Sequence, residues 1–144
     1  MSVPNKSFVD INFVENQVGF IFSAGSGTIL KTLNNGINWF TIEPTGVANI
    51  TAGYFTTEGL GCILGNAIYK TTTGGWAPSG VSSPNNGIIQ LAGVVYSTYD
   101  TGYACGVDFY PFPTPCCYDG VIWRTTDGGG NWLQVHRYGG SYNT

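Results

Sequence analysis

Short runs of β-branched and aromatic residues recur along this chain, each soon broken by Gly, Asn, Asp or Ser, and no stretch sustains the apolar period of a helix. One set of runs is Phe8 to Phe13, Val47 to Phe55 and Ile88 to Tyr96. A second is Gly19-Phe20-Ile21-Phe22, Gly59-Leu60-Gly61-Cys62 and Gly102-Tyr103-Ala104-Cys105, followed by Gly25, Gly65 and Gly106. A third is Thr28 to Leu30, Ala67 to Tyr69 and Val121 to Trp123, each leading into a polar, glycine-containing turn and a Trp that opens a return strand. The pattern predicts about four strands per unit. Twelve strands in 144 residues match the spacing of roughly 8–12 residues per strand expected of an all-β fold.

The turns repeat one phrase. Its fullest copy is Thr125-Thr126-Asp127-Gly128-Gly129-Gly130-Asn131-Trp132. An earlier copy, Thr32-Leu33-Asn34-Asn35-Gly36-Ile37-Asn38-Trp39, has Asn34 in place of the acid, and a worn middle copy runs Thr71-Thr72-Thr73-Gly74-Gly75-Trp76. The Asp or Asn is suited to hydrogen-bond backbone amides, glycine supplies a positive φ, and the Trp ring is placed to pack under the turn with its N–H seeking an acceptor. Thr32, Asn34, Gly36, Trp39, Gly75, Trp76, Thr125, Asp127, Gly129 and Trp132 are therefore read as structural turn residues. A supersecondary unit of this length cannot bury its own apolar face, so the chain is read as an array.

The pattern Thr-x-Asp-x-Gly-x-x-Trp resembles the Asp-box, or bacterial neuraminidase repeat. The longer phrase, from the Gly-aromatic step through Ile-x-Lys-Thr to the turn and Trp, is similar to the β-propeller repeats of photosystem II assembly factors. The likeness covers nearly the whole chain, read as a single repeat domain over 1–144, in units of roughly 8–42, 47–78 and 88–135 with an insertion at 108–119. It implies three four-stranded propeller-blade repeats. It implies little about function, because this turn recurs on sialidases, receptors and assembly factors alike.

Propellers usually close with about four to eight blades, so three leave two open faces, and edges of that kind call for cover. The expectation is completion by oligomerisation, two chains forming a six-bladed ring, or by another partner; a monomeric three-unit prism or sandwich is the alternative. Met1 supports the expectation that the chain is complete.

Charged residues are only 9% of the chain, against a usual level of about 25%. Such a surface suits a subunit of a larger assembly or an extracellular particle. The formal charge of −3 and five scattered basic residues give no electrostatic footprint for nucleic acid. No secretory signal and no run of about eighteen apolar residues for a membrane span is present. Release by lysis, a dedicated machine or incorporation in a particle is expected, after synthesis in the cytoplasm.

The insertion, Asp108 to Asp119, holds three prolines and four aromatics. Stiff exposed aromatics suit protein or carbohydrate contact, so Phe109, Tyr110, Phe112 and Tyr118 form the candidate contact loop; folding back to cover an open edge is the bland alternative. Cys62 and Cys105 occupy matching places and read as small buried apolar residues. Cys116 and Cys117 are adjacent and lack a Cys-x-x-Cys spacing, so no metal is expected.

Catalysis finds little support. A sialidase-like site needs an arginine triad and a tyrosine nucleophile with acidic partners, whereas Arg124 and Arg137 are the only arginines. Arg124 falls at the repeat position of Lys31 and Lys70, which makes it a repeat-structural residue first. Asp108 and Asp119 can approach across the base of the insertion, but a lone acid pair makes weak grounds for glycosidase chemistry. No nucleophile elbow, phosphate loop or cofactor motif appears. The favoured function is a non-enzymatic structural or adhesion module, such as a bacteriophage virion decoration, fibre or tail component. A small oligomeric lectin whose grooves use Trp39, Trp76 and Trp132 or the insertion aromatics is the alternative, and a glycosidase-like enzyme a distant third.

Overall fold

The computed structural model describes residues 7–14, 17–25, 27–75, 79–81, 88–109 and 118–139. Among them there is no helix, and the strands form three antiparallel meanders. Sheet 1 runs β1 (Ser7–Phe13), β2 (Gly19–Ala24), β3 (Thr28–Thr32) and β4 (Phe40–Ile42). Sheet 2 runs β5 (Ala52–Phe55), β6 (Gly61–Leu64), β7 (Ile68–Thr71) and β8 (Ser79–Val81). Sheet 3 runs β9 (Ile88–Tyr96), β10 (Gly102–Phe109), β11 (Tyr118–Thr125) and β12 (Leu133–Tyr138). Each strand pairs with its neighbours in sequence, so the backbone ladders between strands are local.

The sheets are stacked in series, and the two cores lie between them. Phe20, Phe22 and Ile29 of sheet 1 meet Phe55, Ile63 and Tyr69 of sheet 2. Cys62, Leu64 and Ile68, on the opposite face of sheet 2, meet Tyr96, Ala104 and Trp123 of sheet 3. A strand shows alternate residues to its two faces, and β6 is buried at every position because both of its faces are covered.

Register explains the recurrent Gly-aromatic step. Gly19 pairs with Phe13 and Thr32, Gly61 with Phe55 and Thr71, and Gly102 with Tyr96 and Thr125. In each case the aromatic ring of the inner strand lies across the glycine, where a Cβ would sit 2.6 Å from Phe13, 2.7 Å from Phe55 and 2.9 Å from Tyr96. The true counterpart of Gly19 in the second unit is thus Gly61, two residues beyond the expected Gly59, because the pairing partner is the Thr that opens the turn.

Two further expectations are corrected. The run Val47 to Phe55 is a strand only from Ala52: Gly46 and Asn49 take positive φ (80° and 53°), and the chain crosses between sheets there while Val47 and Ile50 still fill the first core. Cys105 is exposed, not buried like Cys62. Both cysteines stand on the same face of their sheets, but the face holding Cys105 is the outer face of sheet 3, and among the described residues nothing packs on it.

If the rings need that space, Gly61→Ala should destabilise the fold by about 1–3 kcal/mol through overpacking against Phe55. Thermal unfolding followed by circular dichroism checks this; a melting temperature equal to that of the parent would refute the packing argument.

Candidate functional site

Three turns fix where each sheet ends. In each, the hydroxyl oxygen of the Thr that closes the third strand accepts from two backbone amides: Thr32 from Asn34 and Gly36 (3.2 and 2.9 Å), Thr71 from Thr73 and Gly75 (3.2 and 3.0 Å), and Thr125 from Asp127 and Gly129 (3.3 and 2.9 Å). The Thr32 hydroxyl donates to Asn34 Oδ1, and that of Thr125 to Asp127 Oδ1. That same oxygen then accepts from the amide of Asn38 or Asn131, at 2.9 Å in both turns. Gly36, Gly75 and Gly129 have φ of 82°, 95° and 90°, a region that favours glycine.

The Trp132 ring lies beneath its turn and its indole N–H donates to the Gly129 carbonyl at 3.2 Å. It also meets Tyr96 edge-on, as Trp39 meets Phe13. Trp132 is therefore buried and closed to a sugar, while Trp39 is half-buried and Trp76 lies outside the described residues. Thr71 belongs with the turn residues beside the acid and the glycine, and its signal in the sequence is the Thr at this place in all three copies.

Neighbouring sheets are clamped at two heights. Near the inner strands, the carboxylate of Asp10 accepts from the Gly53 amide (3.2 Å) and Asn12 Oδ1 from the Phe55 amide (2.8 Å), so β1 side chains hold the β5 backbone. The β1–β2 ladder carries a bulge between Phe8 and Asp10, directly before these two clamping residues. At the turns, Lys31 Nζ lies over the Phe20 ring at 5.4 Å and reaches Glu58 Oε1 of sheet 2 at 2.7 Å. Lys70 Nζ, at the same register, reaches the Asp127 carbonyl of sheet 3 at 3.1 Å.

Sheet 3 repeats this presenting face, and among the described residues nothing packs on it. Tyr103, Cys105, Ile122 and Arg124 stand at the register of Phe20, Phe22, Ile29 and Lys31. Ile29 is 0% exposed and its second-sheet counterpart Ile68 1%, whereas Ile122 is 39% and Tyr103 38% exposed. Gly93, Val94, Val95, Tyr103, Cys105 and Ile122 border an open cavity of about 500 Å³ there. Arg124 is exposed. On the far side of sheet 1, Ile11 and Phe13 are exposed and Ile21 and Leu30 half-buried.

The stem of the insertion is a continuation of β10 and β11, with Asp108 opposite Asp119 and Phe109 opposite Tyr118. The expected approach of the two acids occurs, and both close on one guanidinium: Arg137 Nη1 donates to Asp119 at 3.0 Å and Nη2 to Asp108. This is a structural ion-pair arrangement that ties β12 across the stem. Tyr110, Phe112, Cys116 and Cys117 lie outside the described residues, as do the side chains of Phe109 and Tyr118. Among the described residues no cluster of three or more His, Cys, Asp or Glu could hold a metal, and no helix is long and apolar enough to cross a membrane.

Electrostatics at the remaining groups points to structure. Burial pushes the Cys62 thiol up to about 11 against the opposing effect of its 2.8 Å contact with Tyr96 Oη, and burial also raises Tyr96. Cys62 is therefore an unreactive, protonated thiol at neutral pH. Hydrogen bonds from the Asn131 amide and side chain, and then from Thr125, hold the Asp127 carboxyl down at about 2.

No family model matches the chain, and no curated protein matches it. Solved structures do. YCF48 bound to a D1 peptide superposes with a TM-score of 0.68 at 18% identity, covering 94% of this chain and 41% of that one. An ancestral GH74 enzyme gives 0.65 at 19% identity, covering 91% and 20%. YCF48 from Cyanidioschyzon merolae gives 0.56 at 18%, covering 93% and 38%. The chain thus spans 41% or less of these relatives. They establish a β-propeller-like fold, in keeping with the expected likeness to photosystem II assembly factors.

Because the folded-state value of Asp127 lies below the ordinary 3.8, its contribution to stability is present above about pH 4 and is lost as pH falls toward 2. Asp127→Asn, which copies the neutral Asn34 turn, should flatten stability against pH in that window. Denaturant melts at pH 4 and pH 2 check this; a constant difference between parent and variant would refute it.

Proposed function

We propose that this chain is a non-enzymatic interaction module, a structural or adhesion component of a particle such as a bacteriophage virion, built from Asp-box blades and completed by association with a further subunit. One observation carries this reading: Tyr103, Cys105, Ile122 and Arg124 on the outer face of sheet 3 stand at the register of Phe20, Phe22, Ile29 and Lys31, by which sheet 1 packs on sheet 2, yet Tyr103 and Ile122 stand open to solvent. In repeat proteins a free terminal unit is normally capped by a polar outer face. Here both outer faces are apolar, and a contiguous apolar face marks a contact surface.

The low charge of the chain agrees with a packed subunit. The acid pair Asp108 and Asp119 serves Arg137 rather than a reacting group. The D1 peptide held by YCF48 shows a related fold used for protein contact; the GH74 neighbour makes hydrolysis the reading to test against.

Light scattering of the purified chain should return a mass above 15.4 kDa, and a glycan array and a panel of aryl glycosides should show neither saturable binding nor hydrolysis. A single-chain mass with saturable sugar binding would replace this reading with the lectin, and hydrolysis would replace it with an enzyme.

A further inference from the structure

We propose that the missing subunit is a second copy of this chain, joined head to tail: the outer face of sheet 3 packs on the outer face of the partner's sheet 1, and the reciprocal contact closes a ring of six sheets. This rests on the interaction-module reading and adds the partner and the contacts.

The two interfaces within the chain supply the template. In the row nearest the turns, the Phe20 ring stacks on Phe55 with centroids 3.8 Å apart, and Cys62 Sγ meets Tyr96 Oη at 2.8 Å. The same row places Tyr103 on Phe13, two exposed aromatics. In the next row Phe22 lies directly over Gly53, leaving no space for a side chain, and Leu64 shares a core with Val94. That row places Cys105 on Ile11. As the presenting side chain shrinks from Phe to Leu to Cys, the receiving one grows from Gly to Val to Ile. A close-packed interface requires that compensation in volume, and both members of the third pair belong to this one sequence.

The clamp row agrees. Lys31 Nζ and Lys70 Nζ end at the same place on the next sheet, 3.7 Å and 3.5 Å from where a Cβ would stand on Gly74 and Gly128. The corresponding residue of sheet 1 is Asn35, also at positive φ (57°). Arg124 therefore projects to the Asn34–Asn35 turn of the second copy, where its forked donors suit the exposed carbonyls. Two copies contribute two sets of three sheets, within the range of about four to eight blades that close a propeller. A head-to-tail contact repeated about a two-fold axis uses both outer faces of both chains and leaves none open.

The test uses the full chain and light scattering at tens of micromolar. The parent should show twice the single-chain mass. Arg124→Glu and, separately, Ile11→Glu should each shift it to the single-chain mass with unchanged circular dichroism, since both side chains are exposed in the single chain, while Arg124→Lys should retain the pair. Mixing the two Glu variants should restore a two-chain species, because one intact presenting face and one intact receiving face remain. A single-chain parent overturns the proposal; so do Glu variants that stay paired, and so does a mixture that stays single, which would mean a contact joining like faces. Paired Glu variants or a mixture that stays single leave the interaction-module reading standing, since the parent still exceeds the mass of one chain; a single-chain parent removes self-association from it, and sugar binding or hydrolysis replaces it.

Discussion

A four-stranded meander satisfies its inner backbone hydrogen bonds within itself, but it has two apolar faces and no means of covering either. That constraint organises this molecule. Among the described residues sheet 2 is the one sheet with both faces covered, and β6 accordingly has no exposed position. Sheets 1 and 3 each bury one face against it. The stabilising term is burial of apolar area between sheets, so cohesion depends on the order of the sheets and on which face each presents. Hydrogen bonds shape the sheets, and packing between faces joins them.

The turns convert that general attraction into a fixed geometry. In all three, one threonine hydroxyl gathers two amides and so sets where the third strand ends and the chain reverses. Buried polar groups are costly unless paired, and Thr32, Thr71 and Thr125 are buried with their hydroxyls engaged. The middle turn lacks the Asp or Asn yet keeps the same two amide contacts through Thr71. The acid therefore adds a second layer of bonds to a turn that threonine already defines. Its depressed protonation point reports those added bonds.

Periodicity exposed the fold because local pairing has a local signature: the alternation of strands and the glycine-containing turns lie within single units. What depended on contact between units was harder to read. The clamps at Asp10, Asn12, Lys31 and Lys70 reach partners that local patterns do not connect; Asp10 and Gly53 are 43 residues apart, and Lys70 and Asp127 are 57 apart. The repeat position shared by Lys31, Lys70 and Arg124 was visible, but its purpose was not, since a cation on a strand face also suits plain solvation. Cys105 was misread for the same reason: its burial is decided by whether another sheet follows, which no local pattern encodes. Asp108 and Asp119 were seen as a pair, whereas Arg137, which they both hold, was passed over as one of a few scattered charges.

The residues of the outer faces bear on whether those faces were shaped for solvent. A sheet ending an array in water gains from polar groups on its last face, and nothing in the strand pattern prevents them at Tyr103, Cys105 or Ile122. Position 122 instead keeps the isoleucine found at 29 and 68, where it is fully buried. On the opposite outer face Ile11 stands where sheet 2 carries Gly53. A glycine there accommodates the large Phe22, and a larger residue is compatible only with a smaller partner such as Cys105. In the proposed head-to-tail contact the two outer faces are complementary in volume, and the size of Ile11 would be accounted for by a presenting face that differs from sheet 1's own.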